Sequence, residues 1–197
     1  MSARSLQRRP ALRERVREAT ATAILEAAEE VAVRRGLEAT SIAAIAAHAG
    51  VAVGTLYNYF PDRDALLVAL FQMRRAQLIP QIETVAEAAR ALPFEQRLRA
   101  VVTGTFEVLE RARRFCTLAM NDPHMVKLKA KPALQPALVT ALVDVLRPVS
   151  GSASVDQANM IYGAIKQLLA LRIEHDERLA PAAPILVDTF LRGIKKK

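Results

Sequence analysis

Side chains able to do chemistry are few in this sequence, and their spacing argues against catalysis. His48, His124 and His175 lie far apart, with no HExxH pair, glycine-rich phosphate loop or nucleophile elbow. The run Glu174-His175-Asp176-Glu177 has the atoms for metal binding or acid–base work. Consecutive helical residues point about 100° apart, however, so the run reads as a solvated helix end. No catalytic residue, metal ligand or cofactor is expected. The stretch Val53-Gly54-Thr55-Leu56-Tyr57-Asn58-Tyr59-Phe60 is of another kind. On a helix, Leu56 and Phe60 share one face and are buried together, which leaves Val53, Gly54, Thr55, Tyr57 and Asn58 outward. That outward set is small, polar and aromatic rather than charged. Glycine at 54 lets the backbone approach a partner closely, threonine and tyrosine hydroxyls can bond phosphate oxygens, and the Asn58 carboxamide has the paired donor and acceptor that reads a base edge.

Such a face needs a helix held out from a small core. Ser41 is the expected N-cap of a helix with Ile42, Ile45, Ala46 and Ala49 inward and Gly50 at its end. Gly50-Val51-Ala52 then turns the chain into the helix expected over residues 53–59, so that residues 41–60 match a helix-turn-helix. A helix over 13–35, with Ile24, Ala27, Ala28 and Val31 on one stripe, is stopped by Gly36. Another starts at Asp62 or Arg63, turns Leu66, Leu67, Leu70 and Phe71 inward, and should kink or end at Pro80. Beyond it the period of 3.6 predicts helices near 94–114, 115–122, 133–147, 155–177 and 182–195, separated at Pro93, Pro123, Pro132, residues 148–154 and Pro181. Strand-like alternation is nearly absent, so the fold is read as all-α.

The charge is +8, and its placement is informative: residues 1–17 hold six arginines (Arg4, Arg8, Arg9, Arg13, Arg15, Arg17) against Glu14 alone. A basic segment of this kind favours a polyanionic partner. Much of the 52% hydrophobic content is alanine, and no apolar run approaches the roughly 18 residues that a bilayer span needs, so no membrane partner is expected. The basic start is not followed by the apolar stretch of a secretory signal, and the lone Cys116 reads as a buried thiol, so a cytoplasmic protein is expected.

Residues 20–71 resemble the DNA-binding domain of the tetracycline-repressor (TetR/AcrR) family. The resemblance rests on Ile24, Ala27-Ala28, Gly36, Thr40-Ser41 and Ile45-Ala46, then on the unbroken run from Ala49 through Pro61, and on Arg63-Asp64-Ala65-Leu66-Leu67. It implies a transcription regulator, repression being the family's usual sign, with double-stranded operator DNA as partner. Thr40, Thr55, Tyr57, Tyr59 and Arg63 are then expected on phosphates, with Val53, Gly54 and Asn58 nearest the bases and Ser41 counted in the same set. Three positions depart from the family pattern: Ala52 where a serine often caps the recognition helix, Val53 for a frequent lysine, and Arg63 for the usual lysine. Direct base readout is therefore thin, and the arm with Arg4, Arg8 and Arg9 is expected to add contacts by way of the minor groove.

The resemblance further divides the chain into an arm (1–12), a helix-turn-helix domain (13–75) and a helical effector-binding and dimerisation domain (76–197). It implies a homodimer whose seam uses Ile161, Ile165, Leu168 and Leu169 with Val187, Phe190, Leu191 and Ile194. It also implies a small, largely apolar effector near Phe106, Leu109, Phe115, Met120, Met125 and Tyr162. Periodicity alone explains both sets equally well as intramolecular core. A helical protein-interaction module with a basic arm and no sequence-specific DNA binding is the alternative.

Overall fold

The computed structural model describes residues 12–121 and 134–194, the side chains of Asn121, Leu134 and Ile194 excepted. Its described residues are helical, without strands, and the chain divides into two compact units, Met1–Leu70 and Phe71–Lys197. The expected arm residues Arg4, Arg8 and Arg9, and Met125 of the expected pocket, lie outside the described residues.

In the first unit, α1 (Leu12–Arg35) buries Ile24, Leu25, Ala27, Ala28, Val31 and Ala32, small residues among them that let α2 (Ile42–Ala49) pack closely against it. Gly36 ends α1 with φ +79°, a left-handed conformation that glycine adopts without Cβ strain. Ser41 caps α2, its hydroxyl accepting the Ala44 N–H at 3.2 Å, and Gly50 closes that helix at φ +68°. The recognition helix α3 (Val53–Tyr57) is two residues shorter than expected. Its end tightens, Asn58 N–H bonding Thr55 O and Tyr59 N–H bonding Leu56 O, and Pro61 disfavours helical backbone just before it. Asp62 is the N-cap of α4 (Arg63–Ala88), accepting the Ala65 N–H at 2.7 Å. Ile24, Ile45, Leu56, Leu66, Leu67 and Leu70 are all essentially inaccessible and form the core of this unit.

The second unit takes the rest of α4 and adds α5 (Phe94–Arg111), α6 (Arg113–Asn121), α7 (Leu134–Ser150), α8 (Ser154–Glu174) and α9 (Ala182–Ile194). Pro80 does not end α4: it leaves the Ala76 carbonyl without a helical partner on an exposed turn, where water can supply one. Pro148 likewise lies inside α7, where a break was expected. The carbonyl it frees, that of Asp144, accepts Arg97 Nη1 at 3.2 Å from α5. A 3-10 turn, Gly151–Ala153, then leads directly into α8, which packs back along α7. The stretch Gln135–Glu174 is long and apolar enough, by length and composition, to cross a membrane, which corrects the expectation that no run approaches that length. In this fold it is two helices packed on each other, with Leu142, Leu146, Ala158 and Ile161 buried.

α5 occupies the middle of the unit, burying Leu98, Val101, Val102, Thr105, Phe106 and Leu109 at helical spacing, with α7 and α9 against it. Phe71 and Phe115 meet at 5.2 Å between ring centroids, and the Cys116 thiol is buried as expected. Between α8 and α9 the backbone turns through Asp176, at φ +51°, and is fastened by two residues. Arg113 donates to the carbonyls of Glu177 (2.6 Å) and Arg172 (3.1 Å), and Glu110 accepts the Leu179 N–H.

Candidate DNA-binding surface

The recognition helix is placed by two anchors. Leu56 is fully buried and Phe60 nearly so, which turns the opposite side of α3 to solvent. Val53, Gly54, Tyr57 and Asn58 are exposed, Tyr57 at 51%, while Thr55 and Tyr59 are half-buried. The side-chain polar atoms of Thr55, Tyr57, Asn58 and Tyr59 have no hydrogen-bond partner among the described residues. A set of unpaired donors and acceptors beside a backbone without a side chain at Gly54 is suited to a polar polymer that approaches closely. His48 Nε2 lies 2.8 Å from Glu30 Oε2, which ties α2 to α1 behind this face.

Ala52 has φ −68° and ψ 147° and makes no side-chain cap bond, so the first N–H groups of α3 stay open. The backbone there already has the extended conformation of an N-cap. Ala52→Ser is expected to raise stability by about 1 kcal/mol, read as a higher unfolding midpoint in urea; an unchanged midpoint would show that another group already caps the helix.

Two residues expected on phosphates have interior partners. Thr40 is 1% exposed, and its hydroxyl donates to Gly36 O at 2.8 Å, closing the turn between α1 and α2. Arg63 Nε donates to Thr40 O at 2.7 Å, and Nη2 donates to Leu37 O, so its guanidinium satisfies two carbonyls of that same turn. The resemblance suggested a phosphate contact, and nothing local in the sequence announces a side chain that reaches back to residues 37 and 40. Arg63→Ala is expected to cost about 2 kcal/mol even without DNA, since two carbonyls are deprived of a charged donor at a side chain still 32% exposed. Urea denaturation checks this, and a stability equal to the parent's would return Arg63 to the solvent-facing role.

Sequence reasoning missed Arg17. Its guanidinium carbon lies over the ring of Tyr59, 5.7 Å from the centroid. The two residues are distant in sequence, and no local pattern links them.

In the second unit, Ile161, Ile165, Leu169, Val187 and Leu191, expected at a subunit seam, are buried within the protomer. A buried stripe fixes which face is covered and not by what, so periodicity could not separate the two. Leu168 and Phe190 are half-buried, and Ile194 lies outside the described side chains. The exposed apolar residues of this helix pair include Met160 (68%) and Ile185 (61%). Of the expected pocket residues, Phe106, Leu109 and Phe115 are buried, while Met120 and Tyr162 are half-buried. Desolvation raises the Tyr162 phenol above its ordinary pKa. An open groove of about 530 Å³ runs along α4, α5 and α7, bordered by Ile79, Ala86, Arg90, Arg97 and Ala141 among others and by none of those candidates.

Comparison with known proteins agrees with this geometry. Residues 24–70 match the family of bacterial regulatory proteins described as the tetR family. The fatty acid metabolism regulator protein of Bacillus subtilis is 24% identical over 187 residues, covering 88% of this chain and 95% of its own. The structure of the transcriptional regulator FadR from Bacillus subtilis in complex with stearoyl-CoA superposes with a TM-score of 0.70 at 21% identity, over 86% of this chain and 96% of that one. The SmeT–triclosan complex does so with a TM-score of 0.69 at 20% identity, over 89% and 91%. Residues 24–70 are thus a DNA-binding domain of the tetR family of bacterial regulatory proteins, and the chain as a whole has the fold of such regulators.

Proposed function

We propose that the chain is a ligand-responsive repressor that binds a palindromic operator as a homodimer, in the cytoplasm, and leaves it when a small, largely apolar effector binds. The observation that carries this reading is the outward side of α3, where unpaired polar groups surround Gly54 while Leu56 and Phe60 are held in the core. Val53, Gly54 and Asn58 serve as the base-facing set, and Thr55, Tyr57 and Tyr59 take phosphates. Two such helices, about 34 to 36 Å apart, read half-sites related by a two-fold axis, which requires a symmetric dimer. The outward stripe of α8 and α9, with Met160, Gly163 and Ile185, is the surface assigned to that dimer.

Apolar effectors are supported by the stearoyl-CoA of FadR and the triclosan of SmeT, and by the aromatic and aliphatic interior around Phe106, Leu109 and Phe115. α4 begins in the first unit and continues into the second, and it is the element assigned to carry the response. The effector acts only through a difference in affinity between the binding and non-binding states. Selection of bound duplexes from random DNA tests the reading, with an enriched palindrome and a dimeric mass as the expected result. A pool without enrichment, or a monomer at micromolar concentration, overturns it.

A further inference from the structure

The segment that forms the helix-turn-helix brings no lysine or arginine of its own. Over residues 36–62 the formal charges are Glu38 and Asp62, and the single histidine, His48, is tied to Glu30. A duplex presents one phosphate charge per about 1.7 Å of axis, and cations that neutralise those charges supply much of the affinity. Arg63 adjoins the segment but is committed to the carbonyls of Leu37 and Thr40.

Arg17 is differently placed. It is exposed, it lies over the Tyr59 ring, and no hydrogen bond or ion pair joins it to another described residue. An aromatic face holds a guanidinium through its π-surface and leaves the five in-plane N–H donors open. Such a group is already restricted, so less rotamer freedom is given up when an anion arrives. The hydroxyl of Tyr59 is also without a partner among the described residues. We propose that Arg17, held on the Tyr59 ring, binds a DNA backbone phosphate and so supplies from α1 the positive charge that the helix-turn-helix lacks. This inference rests on the DNA-binding reading above. It also gives a use to the first two turns of α1, residues 12–19, which are exposed throughout and contribute nothing to the core.

The test is fluorescence anisotropy of the full chain with two labelled duplexes of about 30 base pairs, one of random sequence and one recovered by selection, from about 50 to about 200 mM salt. Arg17→Ala is expected to weaken both duplexes roughly 10-fold and to lower the salt slope by about 0.9 for each phosphate no longer neutralised, with an unchanged melting curve because the side chain is exposed. Arg17→Lys should keep the slope and give up part of the affinity. Tyr59→Leu removes the platform, so adding Arg17→Ala to it should cost little more, whereas in Tyr59→Phe, which keeps the ring, the full cost should remain. Unchanged affinity and slope in Arg17→Ala, while Asn58→Ala weakens binding, overturns the proposal and leaves the regulator reading standing. Equal cost of Arg17→Ala with and without the ring overturns the role of Tyr59. A parent protein that binds neither duplex overturns the DNA-binding reading, and this proposal with it.

Discussion

Arg113→Ala is expected to lower the unfolding free energy by about 3 kcal/mol, because one guanidinium satisfies two backbone carbonyls and two carboxylates at the corner between α8 and α9. Its donors reach Glu177 O and Arg172 O, and its charge lies 3.3 Å from Asp176 and 3.6 Å from Glu110. The side chain is 22% exposed, so water can stand in for it only in part. Asp176 holds a left-handed conformation that a residue with a Cβ adopts at some cost, and the clasp keeps it there. Arg113→Lys should recover only a fraction, since an ammonium is a point donor and cannot fork across separate carbonyls. Urea denaturation gives the magnitude. Faster amide exchange at Leu179, whose N–H bonds Glu110, would localise it. A parent-like midpoint in Arg113→Ala would mean that the corner holds without the clasp.

Gly104→Val should destabilise to a similar degree, about 3 kcal/mol, against the usual trend that replacing a mid-helix glycine gains about 1 kcal/mol. A Cβ at 104 would stand 2.5 Å from Val85 Cγ1 and 2.9 Å from Cγ2, and valine adds two further methyl groups to that overlap. Val85 is β-branched and stiff, so it cannot rotate away, and α4 and α5 must separate instead. The pair Gly104→Ala with Val85→Ala removes both Cγ atoms and leaves a Cβ contact of 3.3 Å. Stability in that double variant should return toward the parent's. Thermal melts of the two single alanine variants and the double one decide the matter, and strict additivity would sink the explanation.

The match to the tetR family over residues 24–70 was legible in residues 49–61, the unbroken run that carried the resemblance. The helix ends that were readable are those where a residue acts on its own backbone: Gly36 and Gly50 at positive φ, and Ser41 as a cap. Proline misled. Pro80 was read as a kink or an end and Pro148 as a break, yet the effect of a proline depends on which group takes the carbonyl it frees. At Pro148 that partner is Arg97, a residue of another helix. Tertiary acceptors, the carbonyls of Leu37 and Thr40, likewise hold the Arg63 guanidinium, Thr40 is turned inward by a local bond to Gly36 O, and a tertiary ring contact joined Arg17 to Tyr59. A periodic stripe told which side of α8 and α9 is covered, and nothing in it distinguished a covering helix of the same chain from one of a second copy.

The uncharged outer side of α3 has an evolutionary corollary. Attraction to any duplex comes from cations, whereas preference among duplexes comes from groups that face the bases, the role proposed for Asn58 and Gly54. In this chain the two kinds of group occupy different segments, with six arginines in residues 4–17 and none in residues 36–62. On the proposed reading, substitutions among the arginines retune how long the regulator stays on DNA without rewriting which sequence it prefers, and changes at 53, 54 or 58 redirect it while its grip is preserved.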